Sequence, residues 1–190
     1  MLIVGVMNGY SSSSTSTRTG AVVAELLSDR QTPHELLELK SHVVWSSARK
    51  MTKWLNSRLA PSKTYPPPSA VLLVGKSLGA VHIIRRVLPR IHIGQIPLYL
   101  FTIDPNEPRG WDLNPNLNEE TIEIPIEVTK AVNIYVFSHD QYQQCGARLN
   151  GKTVENLPVA AQLGYDHYSI VISKIVRDAL WGLLREIEET

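Results

Sequence analysis

The chain has 190 residues, 43% of them hydrophobic and 19% charged, with 11 Gly and 12 Pro; this composition suits one packed core and excludes a disordered or low-complexity chain. Nineteen Lys and Arg against 18 Asp and Glu leave a formal charge of +1, which offers no global field for nucleic acid or an anionic membrane. A single cysteine, Cys145, closes no intrachain disulfide and cannot by itself build a thiolate metal site.

The first apolar run, Leu2 to Met7, turns polar at Asn8 and lacks the basic flank and length of a signal segment, so it reads as a buried strand. A Ser/Thr-rich loop, Ser11 to Thr19, follows, and Gly20 opens a short helix carrying Ala21, Val22, Ala24, Leu26 and Leu27. His34 to Lys40 is a second strand, interrupted by Glu35 and Glu38. Val44, Ala48, Met51, Leu55 and Leu59 recur at helical spacing and predict a helix over Val43 to Leu59. Pro61 and Pro66-Pro67-Pro68 end it and form a stiff connector. Val71 to Val74 is a continuous apolar run, as in a central strand covered on both faces.

Leu78 to Leu88 has helical spacing, and Leu98 to Ile103 is the next strand, closed by Asp104-Pro105. Glu107 to Lys130 reads as an excursion, Val132 to Phe137 as a strand, and Ser138 to Ala161 as irregular, with turn signals at Gly146, Asn150-Gly151 and Pro158. A long helix from Tyr168 to Glu188 closes the chain. Strands alternating with helices predict an α/β domain with a mainly parallel sheet, in one domain over residues 1–190. Neither Ala70 to Gly75 nor Ile96 to Ile103 approaches the roughly 18 apolar residues of a membrane helix, so the expectation is a soluble, cytoplasmic protein without stable membrane insertion.

Between a predicted strand and a predicted helix stands Gly75-Lys76-Ser77-Leu78-Gly79, a G-x-S-x-G sequence in the context a nucleophile elbow needs. A sharp strand-to-helix turn there lifts the Ser77 hydroxyl above the sheet, and the helix start aims backbone N–H groups at a reacting oxygen. Gly75-Lys76-Ser77 also matches the end of a phosphate loop, but that motif needs a glycine where this chain has Ala70 and a flexible loop where it has Val71 to Val74.

A serine hydroxyl needs a base, and the base needs a partner that fixes its tautomer. Of six histidines, His167 lies just before the last helix and is the candidate base, with His139 a distant second. Asp104 ends the strand after the elbow helix and should emerge at the same sheet edge as Ser77. Asp140, ending the next strand, is its rival as acid, and Asp166 is too near His167 in sequence. The order Ser77, Asp104, His167 is that of the α/β-hydrolases.

These residues resemble the lipase and esterase branch of the α/β-hydrolase superfamily over most of the chain. Gly75 to Gly79 resembles the Gly-His-Ser-Leu-Gly elbow of many lipases, with Lys76 in the place of the His. Ile103-Asp104-Pro105 resembles the Leu-Asp-Pro of the pancreatic-lipase-like group, and Asn8-Gly9-Tyr10 is similar to a His-Gly-aromatic turn after the first conserved strand. The resemblance implies a minimal, cutinase-sized three-layer α/β/α sandwich with about five parallel strands in the order 2-1-3-4-5 and no large cap.

It further implies an oxyanion hole from the backbone N–H groups of Tyr10 and Leu78, and no metal or organic cofactor. The expected activity is hydrolysis of a small-molecule or lipid ester through Ser77, His167 and Asp104, with Trp111, Leu113 and Leu117 as candidate pocket residues. An amide or thioester hydrolase shares the same triad, and a non-catalytic binding protein on this fold is the contrasting class. Arg85, Arg86 and Arg90 read as a solvated helix face.

Overall fold

The computed structural model describes residues 1–9, 18–30, 33–40, 44–62, 66–106, 122–137, 146–160, 163–167 and 169–190. Successive strand residues face opposite sides of a sheet. In β1 (Leu2–Asn8), Leu2, Val4 and Val6 join one apolar cluster, while Ile3 and Met7 join another. β3 (Ala70–Lys76) divides in the same way, with Leu72 and Val74 on one side and Val71 and Leu73 on the other. Strands apolar on both faces need a helical layer on each.

One layer is α1 (Arg18–Arg30) and α4 (Lys174–Glu189), which bring Val22, Val23, Leu26 and Leu27, and Val176, Leu180, Leu183, Leu184 and Ile187, to the first cluster. The other is α2 (Val44–Leu59) and α3 (Leu78–His82), with Ala48, Met51, Leu55 and Val81 in the second. The remaining principal strands are β2 (His34–Lys40), β4 (Leu98–Ile103), β6 (Lys130–Phe137) and β8 (Val154–Ala160). All pairings in the six-stranded sheet β2-β1-β3-β4-β6-β8 are parallel, so this is an α/β fold with three layers. Two short strands, β5 (Ile122–Glu123) and β7 (Leu149–Asn150), form a separate parallel pair.

The structure adds one strand to the about five expected. The first five strands of the large sheet follow the expected order, and β8 adds a sixth within the stretch read as irregular. Its sequence has no apolar run, and Pro158 removes a backbone donor; both are compatible with a half-exposed edge strand.

The expected helix Leu78 to Leu88 is also shorter. After α3 the chain widens into a π turn at Ile83–Val87 and tightens into a 3-10 turn at Leu88–Arg90. The Pro89 ring crowds the carbonyl four residues before it, that of Arg85, inside the widened turn. At the end of the chain, Ser169–Ile172 forms a 3-10 turn before α4, whose N-cap Ser173 accepts a hydrogen bond from Val176 N at 3.2 Å. No helix among the described residues is long and apolar enough to cross a membrane. The question of a cap falls on residues 107–121, which lie outside the described ones, as do Trp111, Leu113 and Leu117.

Candidate active site

Because every strand of the large sheet is parallel, all their carboxyl ends share one edge, where ligands bind in open α/β sheets. β3 ends there at Lys76, and Ser77 follows with φ 53° and ψ −130°, outside the ordinary helical and extended regions. Such a backbone costs about 1–3 kcal/mol at a non-glycine residue and persists only where its surroundings over-determine it. The flanking glycines supply that constraint. A Cβ on Gly75 would sit 2.4 Å from Ala80 Cα, and one on Gly79 would sit 2.1 Å from Met7 O. The first contact lets the chain fold back onto its own helix, and the second lets that helix start against the backbone of β1.

Ser77 N donates to Ile103 O at 2.9 Å, extending the β3–β4 ladder one residue past the strand. One strand along, Asp104 repeats the device: its N–H donates to Ile134 O at 2.6 Å while its own φ is 49°, a left-handed conformation that Asp tolerates better than most residues. Asp104 is fully buried. Its Oδ1 accepts from Val136 N at 2.8 Å, and its Oδ2 accepts from His167 Nδ1.

His167 comes from the loop before α4 and is 9% exposed. With its Nδ1–H given to Asp104, its Nε2 presents a lone pair, and Ser77 Oγ lies 2.8 Å from it. The three residues thus form one hydrogen-bonded chain from a buried carboxylate to a hydroxyl at the sheet edge.

Of the residues singled out from sequence, the structure brings Ser77, Asp104 and His167 together and places Leu78 as the first residue of α3. Tyr10, His139, Asp140 and Cys145 lie outside the described residues. Gly9, before Tyr10, runs against the serine: a Cβ there would be 2.6 Å from Ser77 Cβ and 3.2 Å from Ser77 Oγ. Among the described residues, no group of three or more His, Cys, Asp or Glu side chains is arranged to hold a metal ion.

Several neighbours carried no site role from sequence alone. Lys76, 2% exposed, carries an ammonium that burial pushes below its ordinary range, with Asp104 and Asp166 pulling part of the way back. Asn8 N δ2 donates to Glu38 Oε1 at 2.5 Å, and Glu38 is one of the two charges that interrupt β2. Gly146 packs on the carboxylate itself, since a Cβ there would be 2.2 Å from Asp104 Oδ1. A glycine has no pattern that announces such a contact, whereas the two Glu residues in β2 were a visible signal.

The chain is therefore an α/β protein whose sheet edge carries a Ser–His–Asp hydrogen-bonded chain. No protein-family model matches it, and no curated protein matches it in sequence. Among solved structures it is similar to a presumed cell surface hydrolase from Lactobacillus plantarum WCFS1, with a TM-score of 0.42 and 12% identity over 97% of this chain and 90% of that one. At that distance the likeness carries no argument about activity; the fold rests on the sheet and its register.

Proposed function

We propose that this chain is a serine hydrolase of the α/β-hydrolase superfamily that cleaves a carboxylic ester through an acyl-enzyme. The observation that carries this reading is the Ser77–His167–Asp104 hydrogen-bonded chain, with Ser77 held in a strained strand-to-helix turn. Ser77 Oγ attacks the ester carbonyl carbon as its proton passes to His167 Nε2, and the carbonyl oxygen becomes the oxyanion of a tetrahedral intermediate. Collapse of that intermediate expels the alcohol, which takes the proton from His167. Water then gives a proton to His167 and its oxygen to the acyl carbon; as the bond from that carbon to Ser77 Oγ breaks, His167 returns the proton to Oγ, which releases the acid and restores Ser77. Asp104 keeps the imidazole in the tautomer that accepts from Ser77 and stabilises its charged form.

The Leu78 N–H opens α3 and has no intrahelical acceptor, which supports it as one oxyanion donor. Tyr10 N–H is the second donor in this reading, and the close approach of Gly9 to Ser77 supports it. One such donor typically contributes about 3 to 4 kcal/mol to the transition state. The test is incubation with a fluorophosphonate, followed by intact mass and peptide mapping. A single adduct on Ser77, absent from Ser77→Ala and from heat-denatured protein, is the expected result; folded protein that stays unlabelled would overturn the proposal. A panel of esters, thioesters and amides then assigns the bond cleaved.

A further inference from the structure

Behind the hydrogen-bonded chain lies a second, wholly polar arrangement that the mechanism above does not use. Asn133, in the middle of β6 and fully buried, sits among apolar neighbours with its amide saturated. Its Oδ1 accepts from Thr102 Oγ1 at 2.7 Å, and its Nδ2 donates to Ala147 O at 3.1 Å and to Asn156 Oδ1 at 2.9 Å. Asn156, on β8, grips the same segment: its Oδ1 accepts from Leu149 N at 3.1 Å and its Nδ2 donates to Leu149 O at 2.8 Å. Ala147 N donates in turn to Pro105 O at 2.7 Å, next to Asp104. Residues 146–149 are thereby tied to β6, to β8 and to Pro105, two residues past the end of β4.

The segment so held begins with Gly146, which lies against the Asp104 carboxylate closely enough that a Cβ would overlap Oδ1, Cγ and Cα. Asp104 has no solvent exposure although it stands at a sheet edge. We infer that Asn133 is a positioning residue whose amide, with Asn156, clamps residues 146–149 over Asp104, sealing the carboxylate from water and aiming it at His167. An uncompensated polar group inside an apolar strand is unfavourable, so two side chains and a backbone carbonyl arranged around one amide mark this as a built device rather than a filler. The inference deepens the proposed serine chemistry in its rate readout and stands apart from it in its spectroscopic one.

The test compares wild type with Asn133→Ala and Asn156→Ala by two measurements. The first is the rate of fluorophosphonate labelling at Ser77, divided by the folded fraction from circular dichroism. The second is the downfield proton resonance of His167 Nδ1–H and its exchange with water. Loosening the clamp should slow labelling per folded molecule by about 10- to 100-fold, as expected when a reacting group is displaced, and should speed exchange of the downfield proton. Asn156→Ala removes the outer half of the clamp, so it keeps the test decisive if Asn133→Ala does not fold.

Wild-type labelling per folded molecule with an unchanged proton resonance, in whichever variant folds, overturns the inference, because a purely stabilising network would lower only the folded fraction. If wild type fails to label, the serine hydrolase proposal falls while the proton resonance still decides the clamp.

Discussion

Asp104→Asn isolates the orienting role of the carboxylate, because the amide has the same shape. Asp104 Oδ1 accepts from Val136 N at 2.8 Å and Oδ2 accepts from His167 Nδ1. An Asn keeping its oxygen toward Val136 turns an NH₂ toward His167, which must then present a lone pair at Nδ1 and carry its proton on Nε2. In that tautomer Nε2 cannot accept the Ser77 proton. The flipped amide restores the tautomer but sets its NH₂ against Val136 N–H, leaving two buried donors facing each other. Each unsatisfied buried group costs about 1–3 kcal/mol, so the flipped state lies about 2–6 kcal/mol higher and is populated to roughly 1 part in 30 to 1 in 20,000.

Loss of the negative charge behind the imidazolium reduces the rate further, and a fall of about 10⁴ is typical of this substitution in serine proteases. Pseudo-first-order labelling of Ser77 by a fluorophosphonate gives the rate without a known substrate, and Asp140→Asn serves as the comparison. The expected outcome is a loss of at least about 10³ for Asp104→Asn and a far smaller one for Asp140→Asn. A rate for Asp104→Asn within threefold of wild type would refute the tautomer reasoning, whatever Asp140→Asn does.

Ser77→Ala should abolish labelling and leave the circular dichroism spectrum unchanged, because its methyl occupies the same place. Ser77→Gly should be about 1 kcal/mol more stable than Ser77→Ala in urea titration, since φ 53° is costly for any residue with a Cβ; equal midpoints would mean the turn is unstrained. Gly79→Ala should destabilise by about 3 kcal/mol, because its methyl meets Met7 O and either α3 or β1 must move. Lys76 has a folded-state pKa below its ordinary value of 10.5, so between those two values the unfolded chain binds more protons and stability rises with pH. That contribution is complete above the ordinary value and is lost as pH falls through the folded one. Urea titrations across the alkaline range should show the rise in wild type and a flatter curve in Lys76→Met.

What was legible in the sequence is what a few consecutive residues decide. β1, β3, β4 and β6 are apolar runs, and α2 has an unbroken helical stripe, so each appears where its periodicity placed it. The Ser77 turn announces itself locally too, since the glycines that permit it stand two residues to either side, although Gly79 makes its contact with Met7 O on β1. β8 was hidden because an edge strand needs no apolar run. Asn150-Gly151 shortly before it and Pro158 within it read as turn signals. Asn133 sits inside a strand that was recognised, yet its partners Thr102, Ala147 and Asn156 are 14 to 31 residues away. Chain order nominated Asp104 and His167 as neighbours of Ser77, but their hydrogen bonds span 63 and 90 residues and depend on strand register, which no local pattern specifies.

Register also explains why two strained residues stand side by side. Ser77 and Asp104 each add one ladder bond beyond a strand end, to Ile103 O and Ile134 O on the next strand, and each then turns through positive φ. The turn takes the side chain out of the sheet's alternation and directs it along the carboxyl edge, where His167 bridges the two. Glycine would hold either backbone at lower cost, by about 1–2 kcal/mol per residue. A chain that retains a hydroxyl and a carboxylate at these two positions tolerates strain of about 2–6 kcal/mol in a molecule whose net stability is typically about 5–15 kcal/mol. Packing alone does not account for that choice, because glycines serve freely elsewhere in the same turn. The side chains themselves account for it: without Ser77 Oγ and Asp104 Oδ2, His167 has nothing to connect.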